Sequence, residues 1–497
     1  MTESRTASAK NGAKKEAAKE KGAERGITVK KAENFTEWYS QVVDKAKLAD
    51  YGPIHGTIAF TPNSYGIWEN IRMPFDRMIK ETGHKNAYFP LMIPESFLKK
   101  EAEHLKAFAP EVFWVTQEGS RKLADRYAIR PTSETIVYYF FAKWLHGWRD
   151  LPILVNQWCS VLRAEIKDTK PFIRTSEFLW QEGHTAHETS EEAAKEVLLI
   201  LDFYKTIAED YLAVPVVLGK KSNLEKFGGA EYTTTIEAMM PDGKALQMGT
   251  SHNLGQNFAK GFGLKFLGKD EKEQFAWTTS WGISTRMLGA LIMVHGDDAG
   301  LVMPPKVAYK QIVIVPIFKK DEGNMVVDFS KKLAGKLQEF RVEIDLREGV
   351  TPGYKFNDWE MKGVPLRIEI GPRDIKEGTV VLVRRDTKEK KTVKSDDVVK
   401  EVQAMLDSIQ QHLFDEASKR LKESITDAAT YDELKQVVSS KGGFVRASWC
   451  GKDECENKIK QETTATNRVI PFDQGRSGKC IVCGADTETI AYFAKAY

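Results

Sequence analysis

Apolar and polar residues alternate in several short segments of the first 305 residues. Clear examples run from Gln157 to Glu165, from Glu177 to His184 and from Phe275 to Trp281, and longer stretches with helical periodicity lie between them. A period of two is typical of strands that bury one face, and polar turns between such strands favour antiparallel pairing. The pattern predicts an α+β domain built on an antiparallel sheet.

The pattern changes after Met303-Pro-Pro-Lys306, because adjacent prolines interrupt both helices and sheet ladders. The largely continuous apolar run from Gln311 to Ile317 is typical of a strand buried on both faces, and a helical pattern from Val326 to Phe340 follows it. Short strands and helices alternate further, up to a long helical pattern from Asp396 to about Ser424. This order predicts a βαβ-type α/β domain with a partly parallel sheet, followed by a small α+β region.

These changes predict a tail at 1–26, a first domain at 27–305, a second at 306–405 and a C-terminal domain at 406–497. The tail is rich in Ala, Lys and Glu and lacks large apolar residues, which favours a disordered, solvated segment; a basic arm that steers RNA is the alternative. Residues 1–31 carry nine Lys or Arg against four Asp or Glu, a net +5 out of a total of +3, which leaves −2 for the rest. Bulk charge therefore does not argue for nucleic acid binding.

The apolar pattern contains neither a membrane span nor a secretory signal. No stretch approaches the roughly 18 apolar residues of a membrane helix, and the N-terminus lacks the apolar core of a signal peptide. Nothing in the use of cysteine suggests a secreted disulfide framework. We therefore expect a cytoplasmic protein without membrane contact.

Polar side chains that could bind a ligand or take part in a reaction share one face of two neighbouring strands. Because side chains alternate along a strand, Arg163 and Glu165 should point the same way, and so should Trp180, Glu182 and His184 on the returning strand. Each residue alone has a simpler explanation: a strand arginine is more often solvated or paired, and a tryptophan more often belongs to the core. Their combination predicts a surface that binds a ligand.

A second arginine stands where a strand turns into a helix. Ser284 can cap the helix that follows Gly282, which puts Arg286 in its first turn. A cation is unfavourable at a helix N-terminus, so its position makes sense if an anion such as phosphate binds there.

Four of the five cysteines lie near the C-terminus, in two close pairs. Cys450-x4-Cys455 and Cys480-x2-Cys483 are separated by 24 residues. Two such pairs are typical of a closed, tetrahedral zinc site with a structural role, and four reduced structural thiols are the alternative.

The pattern resembles the class II aminoacyl-tRNA synthetases, whose signatures include a strand bearing Arg-x-Glu and a strand–glycine–helix with one arginine. Within that class, nearly the whole chain from Phe35 to Tyr497 resembles the prolyl-tRNA synthetases. The strings that carry this resemblance are Arg130-Pro-Thr132-Ser-Glu134-Thr, Leu162-Arg-Ala-Glu165, Phe178-Leu-Trp-Gln-Glu-Gly-His-Thr-Ala-His187, Gln247-Met-Gly-Thr250-Ser-His252 and Thr279-Ser-Trp-Gly-Ile-Ser-Thr-Arg286.

The resemblance implies an enzyme that uses ATP and Mg²⁺ to activate L-proline and transfers it to tRNA(Pro). It implies catalytic roles for Arg163 and Arg286. It implies an ATP site made of Arg163, Glu165, Arg174, Thr175, Gln247, Thr250 and Arg286. It implies a proline site made of Thr132, Glu134, Arg163, Trp180, Glu182, His184 and His252, although Thr132 could instead only cap a helix. Gln247 does not alternate in step with Thr250, so a bulge or a strand end is needed between them.

The resemblance also bears on the other domains. It implies an anticodon-binding domain after residue 306, a structural Zn²⁺ on Cys450, Cys455, Cys480 and Cys483, and a homodimer. Only about 60 residues separate His187 from Gln247, so we predict no inserted editing domain. Two rival interpretations remain open: another class II synthetase, such as a threonyl or histidyl enzyme, and a tRNA-binding paralogue without catalysis.

Overall fold

The computed structural model describes residues 26–104, 111–318, 323–474 and 478–497, with the side chains of 100–104 left out. The predicted tail therefore lies almost wholly outside the described residues and stays a prediction. The described chain forms two compact units. The first contains 26–50, 60–70 and 291–413, and the second contains 51–59, 71–290 and 414–497.

Helices and strands follow one another along the described chain without an internal repeat. None of these helices is long and apolar enough to cross a membrane. The helices are α1 Phe35–Lys45, α2 Pro62–Glu81, α3 Glu95–His104, α4 Glu134–Trp144, α5 Ser190–Thr206, α6 Asn257–Phe262, α7 Arg286–His295, α8 Gly323–Lys336, α9 Pro352–Met361, α10 Pro372–Glu377, α11 Val398–Glu423, α12 Tyr431–Ser439 and α13 Asp453–Thr463. The strands are β1 Ala49–Tyr51, β2 Ile58–Phe60, β3 Lys85–Asn86, β4 Met92–Pro94, β5 Trp114–Glu118, β6 Arg121–Ile129, β7 Ile153–Leu162, β8 Glu177–His187, β9 Val217–Lys220, β10 Tyr232–Met239, β11 Ala245–Gly255, β12 Lys265–Leu267, β13 Glu273–Phe275, β14 Trp277–Ser284, β15 Ile312–Pro316, β16 Val342–Ile344, β17 Leu366–Ile370, β18 Thr379–Arg384, β19 Lys390–Lys394, β20 Ile425–Asp427, β21 Phe444–Ser448, β22 Thr466–Pro471, β23 Gly478–Lys479, β24 Asp486–Thr487 and β25 Ile490–Ala494.

A large sheet dominates the second unit. Its strands lie in the order β20-β21-β25-β22-β9-β10-β11-β14-β8-β7-β3. The six strands from β9 to β7 pair antiparallel throughout, so the predicted antiparallel sheet is confirmed. The C-terminal strands extend this sheet, because Ile470 and Pro471 of β22 pair with Lys220 and Gly219 of β9. The pattern of apolar residues did not predict that connection.

One face of the large sheet is core. Helix α5 begins with a capping box between Thr189 and Glu192, in which each side chain satisfies a backbone N–H of the other. Its buried Tyr204 stacks on Phe75 at 5.3 Å and hydrogen-bonds the Gln181 side chain at 2.8 Å. Because Gln181 faces α5, the residues beside it on β8 face the opposite side of the sheet.

The first unit contains a five-stranded sheet in the order β16-β15-β17-β18-β19. β15 pairs parallel with β16 and β17, and the last two pairings are antiparallel, so the predicted partly parallel sheet is confirmed. Arg341 anchors the segment before β15, since its guanidinium donates to the carbonyls of Pro305, Lys306 and Ala308. The predicted boundary at 405/406 falls inside α11.

Candidate functional site

The functional side chains stand in two rows that run across the middle of the large sheet. Strand register brings the first row together, with Gln157, Glu182, Gly282 and Thr250 as neighbours on β7, β8, β14 and β11. The second row runs beside it and contains His184, Ser280 and His252. Strands whose residues in the first row lie up to 125 positions apart in the sequence, from Gln157 to Gly282, thus meet on one face.

A cavity of about 240 Å³ opens on this face. Eight of the residues predicted for the ligand site line it: Thr132, Glu134, Arg163, Trp180, Glu182, Gln247, Thr250 and His252. Sequence reasoning missed six further lining residues, namely Glu225, Phe227, Thr233, Ser280, Trp281 and Gly282. The Thr279-Ser-Trp-Gly string could have indicated the last three, whereas no pattern marked Glu225 or Phe227.

Ser280 and Gly282 face the cavity, whereas the ring of Trp281 between them lies on the opposite face of the sheet, against Phe75 and His84. That ring lies where a Cβ on Gly183 would be, at 2.1 Å, so only glycine at that position admits the indole. The buried hydroxyl of Ser280 has no hydrogen-bond partner within the described part of the chain. A buried polar atom without a partner in a cavity wall is available to a ligand.

Glu182 is the centre of a buried hydrogen-bond network. Its carboxylate accepts from Ser133 at 2.5 Å and from Gln157 at 2.8 Å, and it lies 3.1 Å from His184 Nε2. Burial alone would raise the pKa of Glu182 and lower that of His184, but their mutual hydrogen bond and attraction reverse both shifts. His184 itself is not among the lining residues and acts on the cavity through Glu182.

His252 stays neutral beside this pair. Burial, and repulsion from His184, lower its pKa to about 3. Its two ring nitrogens lie 2.9 Å from the Thr233 hydroxyl and 3.1 Å from the Thr250 hydroxyl, and its ring packs on Phe227 with centroids 4.7 Å apart. The network therefore contributes one charged pair and one neutral imidazole.

An acidic corner lies at the start of α4. Ser133 occupies the N-cap position, and the Thr132 hydroxyl donates to the Glu134 carboxylate at 2.5 Å. Thr132 therefore does not cap the helix, contrary to the alternative left open by the sequence. Glu134 is only 4% exposed, yet it lines the cavity, so its charge can act on a bound cation.

Arg163 lies just beyond the end of β7, which stops at Leu162. The prediction that Arg163 and Glu165 project from one strand is therefore wrong: the chain turns there, and Glu165 is exposed. The backbone N–H of Arg163 donates to Ser176 at 2.7 Å, and its guanidinium lies over the rings of Phe178 and Trp180 at 5.2 and 5.7 Å. Burial lowers the pKa of Arg163, although nearby carboxylates oppose the shift.

Arg286 begins α7, and Ser284 Oγ accepts its N–H at 3.2 Å as predicted. Its guanidinium donates to the carbonyls of Ile173 and Gln247, both at 3.3 Å. Burial, and then repulsion from Arg163, lower its pKa to about 10. Two half-buried guanidinium groups that repel each other favour an anion between them.

A β-bulge explains the spacing of Gln247 and Thr250. Ile236 of β10 pairs with Gly249 and the next residue, Glu237, pairs with Gln247, so Met248 is the extra residue of the bulge. The bulge expected from the sequence is confirmed. It lets the side chains of Gln247 and Thr250 both face the cavity.

Four residues predicted for ATP do not line this cavity, namely Arg286, Glu165, Arg174 and Thr175. Glu165 and Arg174 are exposed, and both lie in the segment that connects β7 to β8. Thr175 is buried, and its hydroxyl donates to the Glu177 carbonyl at 2.6 Å. These side chains can contact a bound nucleotide only if the nucleotide extends from the cavity over this segment.

The four C-terminal cysteines form one cluster. Their sulfur atoms all lie within 4.8 Å of one another, with 3.6 Å between Cys450 and Cys455 and 3.8 Å between Cys483 and Cys450. A tetrahedron with Zn–S bonds of about 2.3 Å has edges of about 3.8 Å, whereas a disulfide has an S–S bond of about 2.05 Å. Cys480 completes the set, which is compatible with a zinc ion.

Three family models match the chain. A tRNA synthetase class II core domain (G, H, P, S and T) matches residues 113–295, and an anticodon binding domain matches 311–405. A model described as prolyl-tRNA synthetase, C-terminal, matches 431–497. The matches cover the cavity, the five-stranded sheet and the cysteine cluster in turn.

Several curated proteins are similar over almost the full length. A proline–tRNA ligase of Natranaerobius thermophilus is 52% identical over 94% of this chain and 97% of its own. A proline–tRNA ligase of Cenarchaeum symbiosum is 53% identical over 95% of this chain and 99% of its own, and one of Alkaliphilus oremlandii is 52% identical over 93% and 96%. The chain belongs to the prolyl-tRNA synthetase family of class II aminoacyl-tRNA synthetases.

Proposed function

We propose that this chain is a proline–tRNA ligase that makes prolyl-adenylate and then transfers proline to tRNA(Pro). The observation that carries the proposal is one cavity that combines the half-buried guanidinium of Arg163 with the acidic corner of Thr132 and Glu134, while a second half-buried guanidinium, that of Arg286, contacts Gln247 of the cavity lining. The guanidinium groups suit a triphosphate, and the acidic corner suits an ammonium group. Membership of the family supports the same reaction.

In the first step, a proline carboxylate oxygen attacks the α-phosphorus of ATP, and the bond to the bridging oxygen breaks to release pyrophosphate. Such a step needs positioning and charge neutralisation more than a protein nucleophile. Arg163 would bridge the carboxylate and the α-phosphate with its planar fork, and Arg286 would hold the γ-phosphate. Mg²⁺, which a class II core implies together with ATP, would neutralise the phosphates. In the second step, the 3′-terminal hydroxyl of tRNA attacks the prolyl carbonyl and AMP leaves.

Proline would bind with its ammonium group at the acidic corner. The protonated secondary amine has two N–H donors, which the Thr132 hydroxyl oxygen and the Glu134 carboxylate can accept. Trp180 and His252 supply walls for the pyrrolidine ring, and Glu182, held by hydrogen bonds to Ser133, Gln157 and His184, lies beside them. A neutral His252 adds no positive charge next to the ammonium group.

The rest of ATP would extend from Gln247 and Thr250, which line the cavity, toward the segment between β7 and β8. Glu165, Arg174 and Thr175 lie on or at the end of that segment. We propose that they contact adenine and the phosphates once the nucleotide is bound. Exposed positions of Glu165 and Arg174 are consistent with a segment that closes on its ligand.

The other partners are proposed from the remaining domains. An anticodon binding domain at 311–405 implies tRNA as a partner. Cys450, Cys455, Cys480 and Cys483 would hold one structural Zn²⁺, since four thiolates leave no open position. A cytoplasmic location and a homodimer complete the proposal, and sedimentation of the purified protein tests the dimer.

ATP–pyrophosphate exchange with each amino acid in turn tests the function. We expect exchange that depends on proline, and we expect Arg163→Ala to abolish it while the far-UV circular dichroism stays that of the wild type. Exchange that depends on threonine would favour another class II synthetase. Absence of any exchange would favour a paralogue without catalysis.

A further inference from the structure

The loop between β9 and β10, residues 221–231, forms part of the cavity wall and has no assigned role. Two of its members, Glu225 and Phe227, line the cavity. Phe227 packs on the ring of His252, and its backbone N–H donates to Thr233 Oγ1 at 3.0 Å. The position of this wall loop therefore affects the shape of the cavity where proline is proposed to bind.

Side chains of the C-terminal module, residues 431–497, contact side chains of the wall loop. Ser222 donates to Glu456 of α13 at 2.8 Å. Glu225 lies 3.7 Å from Lys460, also on α13, and 3.8 Å from Arg468 of β22. Two elements of the module thus bind two residues of the loop.

Arg468 connects the wall loop to the large sheet, because it contacts Glu225 of the loop and Glu237 of β10. Its guanidinium donates to the Glu237 carboxylate at 2.9, 3.0 and 3.2 Å, and Glu237 is fully buried. Lys221, at the start of the wall loop, donates to the same carboxylate at 2.6 Å and to the Arg468 carbonyl at 2.9 Å. A buried carboxylate shared between two cations can hold both of them in one arrangement, because both cations donate hydrogen bonds to it.

The cysteine cluster includes a residue of the same helix. Cys455 lies in the first turn of α13, one residue before Glu456 and five residues before Lys460. Clustering the four cysteines would therefore fix the start of the helix that contacts the loop. The cavity, the loop, α13 and the cysteine cluster form one continuous set of contacts.

We propose that Arg468 is a positioning residue for proline binding, and that the C-terminal module holds the wall loop, with Glu225 and Phe227, against the substrate cavity. The inference rests on the proposed function, because it names a support for the same site. Arg468 does not line the cavity itself, so it acts through Glu225 and through the Lys221–Glu237 pair.

Arg468→Met tests the proposal. Glu237 keeps Lys221 as a partner in this variant, so the buried carboxylate is not left uncompensated and the protein should fold. We expect the KM for proline in ATP–pyrophosphate exchange to rise about tenfold, as a coupling energy of ordinary size implies, while the KM for ATP stays within about threefold. Arg446→Met is the matched control, because Arg446 lies in the same module but pairs with Asp427, away from the wall loop, so this variant should leave both KM values unchanged.

A second variant keeps the test decisive if Arg468→Met does not fold. Lys460 is 56% exposed, so Lys460→Glu should fold, and it places a like charge beside Glu225. We expect its KM for proline to rise about threefold, since exposed charges act weakly. An unchanged KM for proline in the folded variants, or an equal rise in both KM values, would overturn the proposal. Absence of proline-dependent exchange in the wild type would instead refute the proposed function.

Discussion

Glu134→Gln is the sharpest test of the acidic corner, because it removes one charge and almost no volume. The carboxylate is 4% exposed and accepts a hydrogen bond from Thr132. Glutamine keeps a carbonyl that can accept the same bond. The variant therefore isolates the attraction between the negative charge and a bound ammonium group.

Removing one partner of a desolvated charge pair costs about 2 to 5 kcal/mol. We expect the lower part of that range, about 2 to 3 kcal/mol, because the glutamine carbonyl still accepts a hydrogen bond. Since 1.36 kcal/mol is a factor of ten in rate, kcat/KM for proline should fall about 30- to 150-fold. Thr132→Val keeps the charge and removes one hydroxyl, so its loss should be smaller, about threefold to tenfold.

The assay is proline-dependent ATP–pyrophosphate exchange with active sites titrated. Glu196→Gln is the matched control, since Glu196 is another buried carboxylate that contacts a histidine, His84, at 2.9 Å, away from the cavity lining. It should leave the KM for proline unchanged. A Glu134→Gln enzyme with the wild-type kcat/KM for proline would refute the assignment of the ammonium site.

The remaining predictions concern the buried ion pair and the cysteines. Glu182→Gln should lower the melting temperature most between pH 4.5 and 6.5, the ordinary pKa values of the two groups. The pKa of His184 is raised, so the stability that the pair contributes is lost as the pH rises through the pKa of His184 in the folded protein. The pKa of Glu182 is lowered, so this stability is also lost as the pH falls through the pKa of Glu182 in the folded protein. Melting curves at pH 5.5 and 9 check this, and a larger loss at pH 9 would contradict it. Cys483→Ser should reduce bound zinc from one ion per chain to near none in a metal assay and lower the melting temperature; unchanged zinc content would exclude this site.

Local periodicity accounts for most of what could be predicted. Strand alternation predicted that Trp180, Glu182 and His184 share one face of a strand, and the out-of-step spacing of Gln247 and Thr250 required a bulge or a strand end, of which the structure has the bulge. Such patterns are readable because the side-chain period of a strand is set by local backbone geometry. The prediction failed at Glu165, since the end of β7 depends on the turn that follows Arg163 and not on the alternation before it.

The sequence by itself determined the types of domain, the two arginines, the cysteine cluster and membership of the family, because each has a local pattern or a characteristic string. Only the tertiary structure decided that β22 extends the large sheet and that Arg468 meets Glu237, 231 positions earlier in the chain. It also decided that Glu225 and Phe227 line the cavity. Contacts of this kind depend on how distant segments pack together, and no periodicity within either segment records the identity of its partner.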